Sequence, residues 1–225
     1  WDSVEGLLYS AAIMGPHLMI SKPDASHPHQ TIDLNLRGSH TNRMVIDDQR
    51  RRLFWVAGPT EQIRVVDLES KSLIAEYEPT ESFKGYPVQG ITVDSSTGWL
   101  WVVNTSVKRV KGYSPDLKQS REISGLSGPV AISADPDGDG LYIIDTVSKQ
   151  EGRLVHYRPS TESLSEITSL GGRGRPPRYV AALSGGRAVV AGRELVAFSL
   201  SGSELWRSRL SHAPVAVEAS ADVVV

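Results

Sequence analysis

Leu100-Trp101-Val102-Val103-Asn104 is an aromatic and aliphatic run followed by a polar pause, and the same run returns along the chain. Leu53-Phe54-Trp55-Val56-Ala57, Leu141-Tyr142-Ile143-Ile144-Asp145 and Arg187-Ala188-Val189-Val190-Ala191 align with it. The four runs begin at residues 53, 100, 141 and 187, in steps of 47, 41 and 46. A repeat of forty-odd residues with four short strands per unit is the sequence signature of a β-propeller.

Working outward from these runs, apolar and polar residues alternate over four to six positions, and the turns carry Gly, Asp and Ser, which are strand and hairpin signals. If the strands of a blade are named a to d from the inside outwards, the quoted runs are strand b. Strand a recurs as Met44-Val45-Ile46-Asp47, Ile91-Thr92-Val93-Asp94, Val130-Ala131-Ile132-Ser133 and Tyr179-Val180-Ala181-Ala182. Strand c recurs as Arg64-Val65-Val66, Arg109 to Tyr113, Arg153 to Tyr157 and Leu195 to Phe198. A second marker agrees with the first: Pro87-Val88, Pro129-Val130 and Pro214-Val215 open strand a, 42 and then 85 residues apart, the latter being two units. No segment carries a sustained 3.6-residue period.

The ends fit the same frame. Glu5-Gly6-Leu7-Leu8-Tyr9 matches Asp139-Gly140-Leu141-Tyr142-Ile143, so the chain is expected to open at strand b. Pro214 to Glu218 followed by Asp222 to Val225 read as strand a and the start of strand b. The expectation is one all-β domain over residues 1–225, a propeller of five or six four-stranded blades that begins and ends within a blade. Its parts are a partial blade at 1–40, blades at about 41–84, 85–126, 127–174 and 175–212, and a partial blade at 213–225. Five blades close if the ends share one, whereas six or more need strands from outside this sequence. The chain starts at Trp1 without Met, which points to a processed precursor or to an excerpt of a longer chain or larger assembly.

Composition narrows the function classes. Lys and Arg number 24 against 26 Asp and Glu, a net charge of −2, which argues against a whole surface devoted to nucleic acid or anionic membrane. Cysteine is absent, which excludes disulfides, thiol nucleophiles and Cys-ligated zinc, while secreted and intracellular proteins alike can lack it. No run of about 18 apolar residues is present, so no membrane span is expected.

The middle units resemble the NHL-repeat and lactonase-like β-propeller families. Residues Trp101 to Asp116 give the family pattern of an apolar strand, Asn104, the pair Arg109-Val110, and Tyr113 before a turn; residues Tyr142 to Pro159 repeat it with Asp145, Arg153 and Tyr157. WD-type and kelch signatures are missing. A rigid closed scaffold carrying variable loops suits a recognition or scaffolding module. The alternative that the resemblance permits is a metal-dependent lyase or lactone hydrolase, with His, Glu, Asp or Asn side chains gathered at a central channel. The inner strands here are mostly Val, Ala, Ile, Thr and Ser, with Gln89, Asp94, Glu218 and nearby His212 as polar candidates.

Local motifs have plain readings beside their chemical ones. Asp135-Pro136-Asp137-Gly138-Asp139-Gly140 carries alternating carboxylates of the kind that turn oxygens towards Ca²⁺. Its twelfth position is Thr146 and its ninth Ile143, where calcium loops place acids, so Asp135, Asp137 and Asp139 read first as an a–b hairpin equivalent to Asp94 to Gly98. No cofactor is expected, with calcium the alternative. Arg173-Gly174-Arg175-Pro176-Pro177-Arg178 has the look of an AT-hook core, but it is the d–a connection of a near-neutral chain, and nucleic acid is not the expected partner. His27 and His29 flank Pro28 in a c–d turn, and Asn104-Thr105-Ser106 is a glycosylation acceptor pattern.

Topology sorts the charges. In a four-stranded meander the b–c and d–a loops share one face, and on it fall Lys84, Lys108, Arg109, Lys149, Arg153, Arg173, Arg175 and Arg178, together with Arg43 and Arg193, against the acids Glu61, Glu81, Asp145, Glu151 and Glu194. The a–b turns on the opposite face hold Asp47, Asp48, Asp94, Asp135, Asp137 and Asp139, offset by Arg50, Arg51 and Arg52. The expected function is non-enzymatic: a docking surface for a protein or other anionic partner on the b–c and d–a face.

Overall fold

The structure, a computed structural model, describes residues 2, 4–11, 17–22, 30–33, 42–57, 61–78, 88–171, 176–212, 214, 219–220 and 223–224. These are strands and turns, and no helix among the described residues is long and apolar enough to cross a membrane. Two compact units are distinguished, Trp1–Val88 with Ser114–Gln119, and Gln89–Tyr113 with Ser120–Val225.

In the first unit, β1 (Leu8–Ala11), β2 (His17–Ser21) and β3 (Gln30–Asp33) form a three-stranded antiparallel meander. Strands β4 (Asn42–Asp47), β5 (Arg52–Ala57), β6 (Gln62–Asp67) and β7 (Ser72–Tyr77) form a four-stranded one. Tyr9, Leu18 and Ile20 of the first sheet pack on Leu53, Trp55, Ala57 and Val66 of the second. A polar tie joins the same two sheets: Arg51, at φ 52°, donates from Nη1 and Nη2 to the buried Asp2 carboxylate at 2.7 and 2.8 Å. That fork holds the Asp2 carboxyl below the usual carboxylate range.

The second unit holds three complete meanders: β8 (Val88–Val93) to β9 (Leu100–Asn104), β10 (Arg109–Tyr113) and β11 (Ser120–Ile123); β12 (Pro129–Ala134) to β13 (Leu141–Thr146), β14 (Gly152–Arg158) and β15 (Ser163–Ser169); and β16 (Tyr179–Leu183) to β17 (Arg187–Ala191), β18 (Glu194–Ser199) and β19 (Glu204–Arg209). The short β20 (Ala219–Ser220) and β21 (Val223–Val224) pair with each other. Thus the expected a, b and c strands fall within β4–β6, β8–β10, β12–β14 and β16–β18, save Asp94, which lies one residue beyond β8. Of the segment expected as the last strand a, residues 215–218 lie outside the described ones.

Within this unit the sheets stack face on face. Trp101, Val103, Val110 and Ile123 meet Ile132, Leu141, Ile143, Val155 and Tyr157 in one layer. Tyr142, Ile144 and Leu154 meet Val180, Ala188, Val190 and Phe198 in the next. Because the second strand of each four-stranded sheet is buried on both faces, its central residues are apolar in succession, not alternating, as in buried strands generally. Every residue of β9 is buried, whereas β7 alternates and β19 is exposed throughout. Hydroxyls staple the innermost strands at matching levels: Thr92 Oγ1 accepts from Ala134 N and Ser133 Oγ from Ala182 N, both at 3.0 Å.

Trp101 is the largest anchor of the first layer, wholly buried, with the Tyr157 ring edge-on at 5.7 Å. It fits because β10 crosses it at Gly112, where a Cβ would come within 2.7 Å of the indole ring. Gly112→Ala is therefore expected to destabilise the chain by about 1–3 kcal/mol through overpacking, seen as a lower denaturation midpoint at unchanged m-value. The double change with Trp101→Phe should recover part of the loss.

Candidate functional site

The candidate site is the face on which the b–c and d–a loops of the second unit lie. The β9–β10 turn is pinned by Val107 N donating to Asn104 Oδ1 at 3.3 Å and Lys108 N to Thr105 O at 3.2 Å, which leaves the Lys108 side chain in solvent at φ 56°. The β13–β14 turn closes through Val147 N to Glu151 O at 2.9 Å and through Ser148 Oγ, which accepts from Gln150 N and Glu151 N. Lys149 at its tip is exposed. Gly192 N to Glu194 O at 3.0 Å makes the β17–β18 turn that presents Arg193, and Arg178 N donates to Ala191 O at 3.1 Å just before β16. Both arginine side chains are exposed.

Arg153 and Arg109 behave differently. Arg153 is half-buried; its Nε donates to Asp145 Oδ2 at 2.9 Å, its Nη2 to Gly125 O at 2.7 Å, and Glu166 lies 3.7 Å from Nη1. Asp145, fully buried, also accepts from Ser127 N at 2.9 Å and Gly128 N at 2.7 Å. The pair therefore lashes the d–a connection at residues 125–128 to its neighbouring strands, and this is the structural use of the Asp and Arg in the repeat. Arg109, half-buried, lies 4.0 Å from Glu122. Lys84, Arg173 and Arg175 lie outside the described residues, as do His27, His29 and Glu218. Four of the expected docking cations, Lys108, Lys149, Arg178 and Arg193, thus stand exposed on one face of the second unit.

The acidic hairpin between β12 and β13 turns its carboxylates apart. Asp135 Oδ1 accepts from Asp137 N at 3.0 Å within the turn, Asp137 accepts from Gly185 N of the next sheet, and Asp139 accepts from Ser160 N at 3.1 Å and from the Ser160 hydroxyl. Among the described residues no three His, Asp or Glu side chains converge as a metal site would need. Asp94 is buried and accepts from Ser96 and Thr97 of its own turn. Gln89 is exposed on β8, and His212 is exposed beside Ser211. The Asn104 side chain of the acceptor triplet is buried, out of reach of a glycosylating enzyme in the folded chain.

Two arginines of the same region escaped the loop-based sorting. Arg207 and Arg209 lie on the outer strand β19, and with Arg193 and Glu194 they rim a cavity of about 590 Å³ whose lining includes Val196, Phe198 and Leu170. Arg207 bridges Glu194 and Glu204, the latter at 2.7 Å, and Arg209 Nε lies 3.5 Å from Glu194. The signal in the sequence is the Arg-x-Arg spacing of the strand Glu204–Arg209, which puts both guanidinium groups on one side.

No known protein family matches the sequence, and no curated protein matches it either. In fold the chain is similar to a solved chain of the nidogen/laminin complex, at 16% identity and a TM-score of 0.66 over 93% of this chain and 78% of that one. It is also similar to Kuenenia stuttgartiensis hydrazine synthase, at 16% identity and a TM-score of 0.59 over 78% of this chain and 52% of that one. Both neighbours are β-propeller folds, and the all-β chain shares that fold. Solved chains that match number 1050, so the fold leaves function to the site it carries.

Removing Asp145 leaves Arg153 Nε and two backbone amides without their acceptor. Asp145→Ala is expected to cost about 3 kcal/mol, at the low end for a broken buried pair, because the Arg153 side chain is 25% exposed. Chemical denaturation checks it. A second expectation concerns His156, buried against Tyr142 with ring centroids 5.0 Å apart. Burial pushes its imidazole below the ordinary value, with Arg158 adding to the effect. The unfolded chain then binds more protons between about pH 6.5 and the lower folded value, so stability falls as pH falls through that interval. The melting temperature of His156→Gln should lose part of that acid sensitivity relative to the unchanged chain.

Proposed function

We propose that this chain is a non-enzymatic recognition module that binds a protein partner of acidic surface through the b–c and d–a loops of its second unit. The observation that carries this reading is the set of four exposed cations, Lys108, Lys149, Arg178 and Arg193, presented on turns held by backbone hydrogen bonds. Among the described acids of these turns, Glu151 is exposed, Glu194 is partly exposed and paired with Arg207 and Arg209, and Asp145 is buried under Arg153. Rigidly presented charge of one sign speeds encounter with an oppositely charged partner and fixes its orientation. A neighbour of the same fold in a nidogen/laminin complex supports protein binding as a use of such a scaffold.

The test is the fourfold reversal Lys108→Glu, Lys149→Glu, Arg178→Glu and Arg193→Glu, read by fluorescence anisotropy with a labelled Asp- and Glu-rich peptide. Exposed pairs are worth about 0.2–1 kcal/mol each, so affinity at low salt is expected to fall about tenfold or more with the melting temperature nearly unchanged. Equal binding by the reversed variant would overturn the reading.

A further inference from the structure

The layers between successive sheets of the second unit are filled differently at their outer ends. Between β8–β11 and β12–β15 the space is closed by Trp99, Trp101, Tyr157 and Leu164, the last contributed by the outer strand β15. Between β12–β15 and β16–β19 the outer strand β19 supplies Arg207 and Arg209 instead, and the wedge stays open as the 590 Å³ cavity. That volume is within the range of about 300–1,000 Å³ typical of ligand sites. Val196, Phe198, Val190 and Leu170 give it an apolar wall, and Arg193, Arg207 and Arg209 a cationic rim tempered by Glu194. Arg209 is 91% exposed even while facing Glu194.

β19 adds a second feature beside the wedge. It pairs with β18 on one edge, its other edge has no partner strand among the described residues, and all six of its residues are exposed, Leu205 and Trp206 included. An open edge accepts an extended peptide by backbone pairing, and pockets for alternate side chains then give specificity.

We propose that the wedge between β15 and β18–β19 captures an extended acidic segment of the partner protein, seating one apolar side chain against Val196 and Phe198. A neighbouring carboxylate is held by Arg193 and Arg209, and the segment leaves the wedge past the open edge of β19. The occupant follows from charge complementarity: Arg193 is exposed and Arg209 is 91% exposed although it faces Glu194, so an acidic segment meets cations that an apolar ligand alone leaves in water, and an apolar side chain covers what Leu170 and Leu210 leave partly exposed. This assignment rests on the acidic-partner reading of the same face and names the part of the partner that is read.

The test uses two labelled peptides of alternating Asp and Leu or Asp and Ala, titrated onto the unchanged chain. The leucine peptide is expected to bind at least tenfold more tightly, and Ser169→Trp, which plugs the wedge, should abolish that preference. Lys149→Glu should weaken both peptides and leave their ratio intact. In the unchanged chain the leucine peptide, and not the alanine one, should shift the methyl resonances of Leu170 and Leu210, a readout independent of any variant's folding. Equal affinity for the two peptides, or a leucine preference untouched by Ser169→Trp in a folded variant, overturns the wedge assignment while leaving the cationic face standing. Binding of neither peptide at low salt removes the acidic-partner reading as well. Octanoate shifting the same methyls where the peptides do not would make the wedge a site for amphiphilic carboxylates and overturn the assignment.

Discussion

The second strand of each four-stranded sheet is apolar on both faces, and the structure depends on this constraint. A four-stranded sheet covers neither of its own faces, so Trp55, Trp101 and Tyr142, all with no exposed surface, have to be covered by neighbouring sheets. Each buried side chain of this size contributes about 1.5–3 kcal/mol, against about 0–1 kcal/mol for an exposed ion pair. Within each unit, therefore, sheet-on-sheet packing and not loop charge sets the spacing of the sheets. The gradient from the fully buried β9 to the fully exposed β19 is the same constraint seen from the inside outwards.

Polar ties then fix what the packing leaves free. Face-to-face sheets can slide, because apolar contact is non-directional, but a hydroxyl that accepts from one amide of the next strand has a single register. Thr92 and Ser133 supply such registers, and Asp145 with Arg153 fixes the connection that leads into β12. These ties also decide which charges are available outside. An arginine bonded to a buried carboxylate and a carbonyl is part of the frame, while a lysine at the tip of a backbone-bonded turn is free to meet something else. The docking face is what remains once the frame has taken its share.

The strand b runs were legible because double burial writes a continuous apolar word, and the aligned runs at residues 53, 100, 141 and 187 coincide with β5, β9, β13 and β17. The outer strands were not, since Ser72–Tyr77 and Glu204–Arg209 have one face in water or both, and their composition resembles that of a loop. Loop charges were legible only as positions. Arg153 and Lys149 stand four residues apart in one hairpin, yet the first is turned inward by a carboxylate eight residues upstream in sequence and opposite it in register. The sequence gives the pair; which of its neighbours that carboxylate selects depends on the strand register. Likewise Asp135, Asp137 and Asp139 look alike in the sequence, but the turn between β12 and β13 hands each a different donor.

A division of labour follows between inner and outer strands. Substitutions in β5, β9, β13 or β17 strike residues packed from both sides, where a change of a single methylene is felt. Substitutions in β19 strike residues that touch little, and such surface changes usually stay within about ±0.5 kcal/mol. The outer strand is thus the place where composition can depart from the repeat at small thermodynamic cost. In β15 that freedom is used to seal the wedge with Leu164, and in β19 it is used to leave a wedge open and edge it with arginine. A scaffold whose register is set by its inner strands can carry such an opening without loss of order, because nothing in the stacking of β12, β13, β16 and β17 passes through the residues that line its rim.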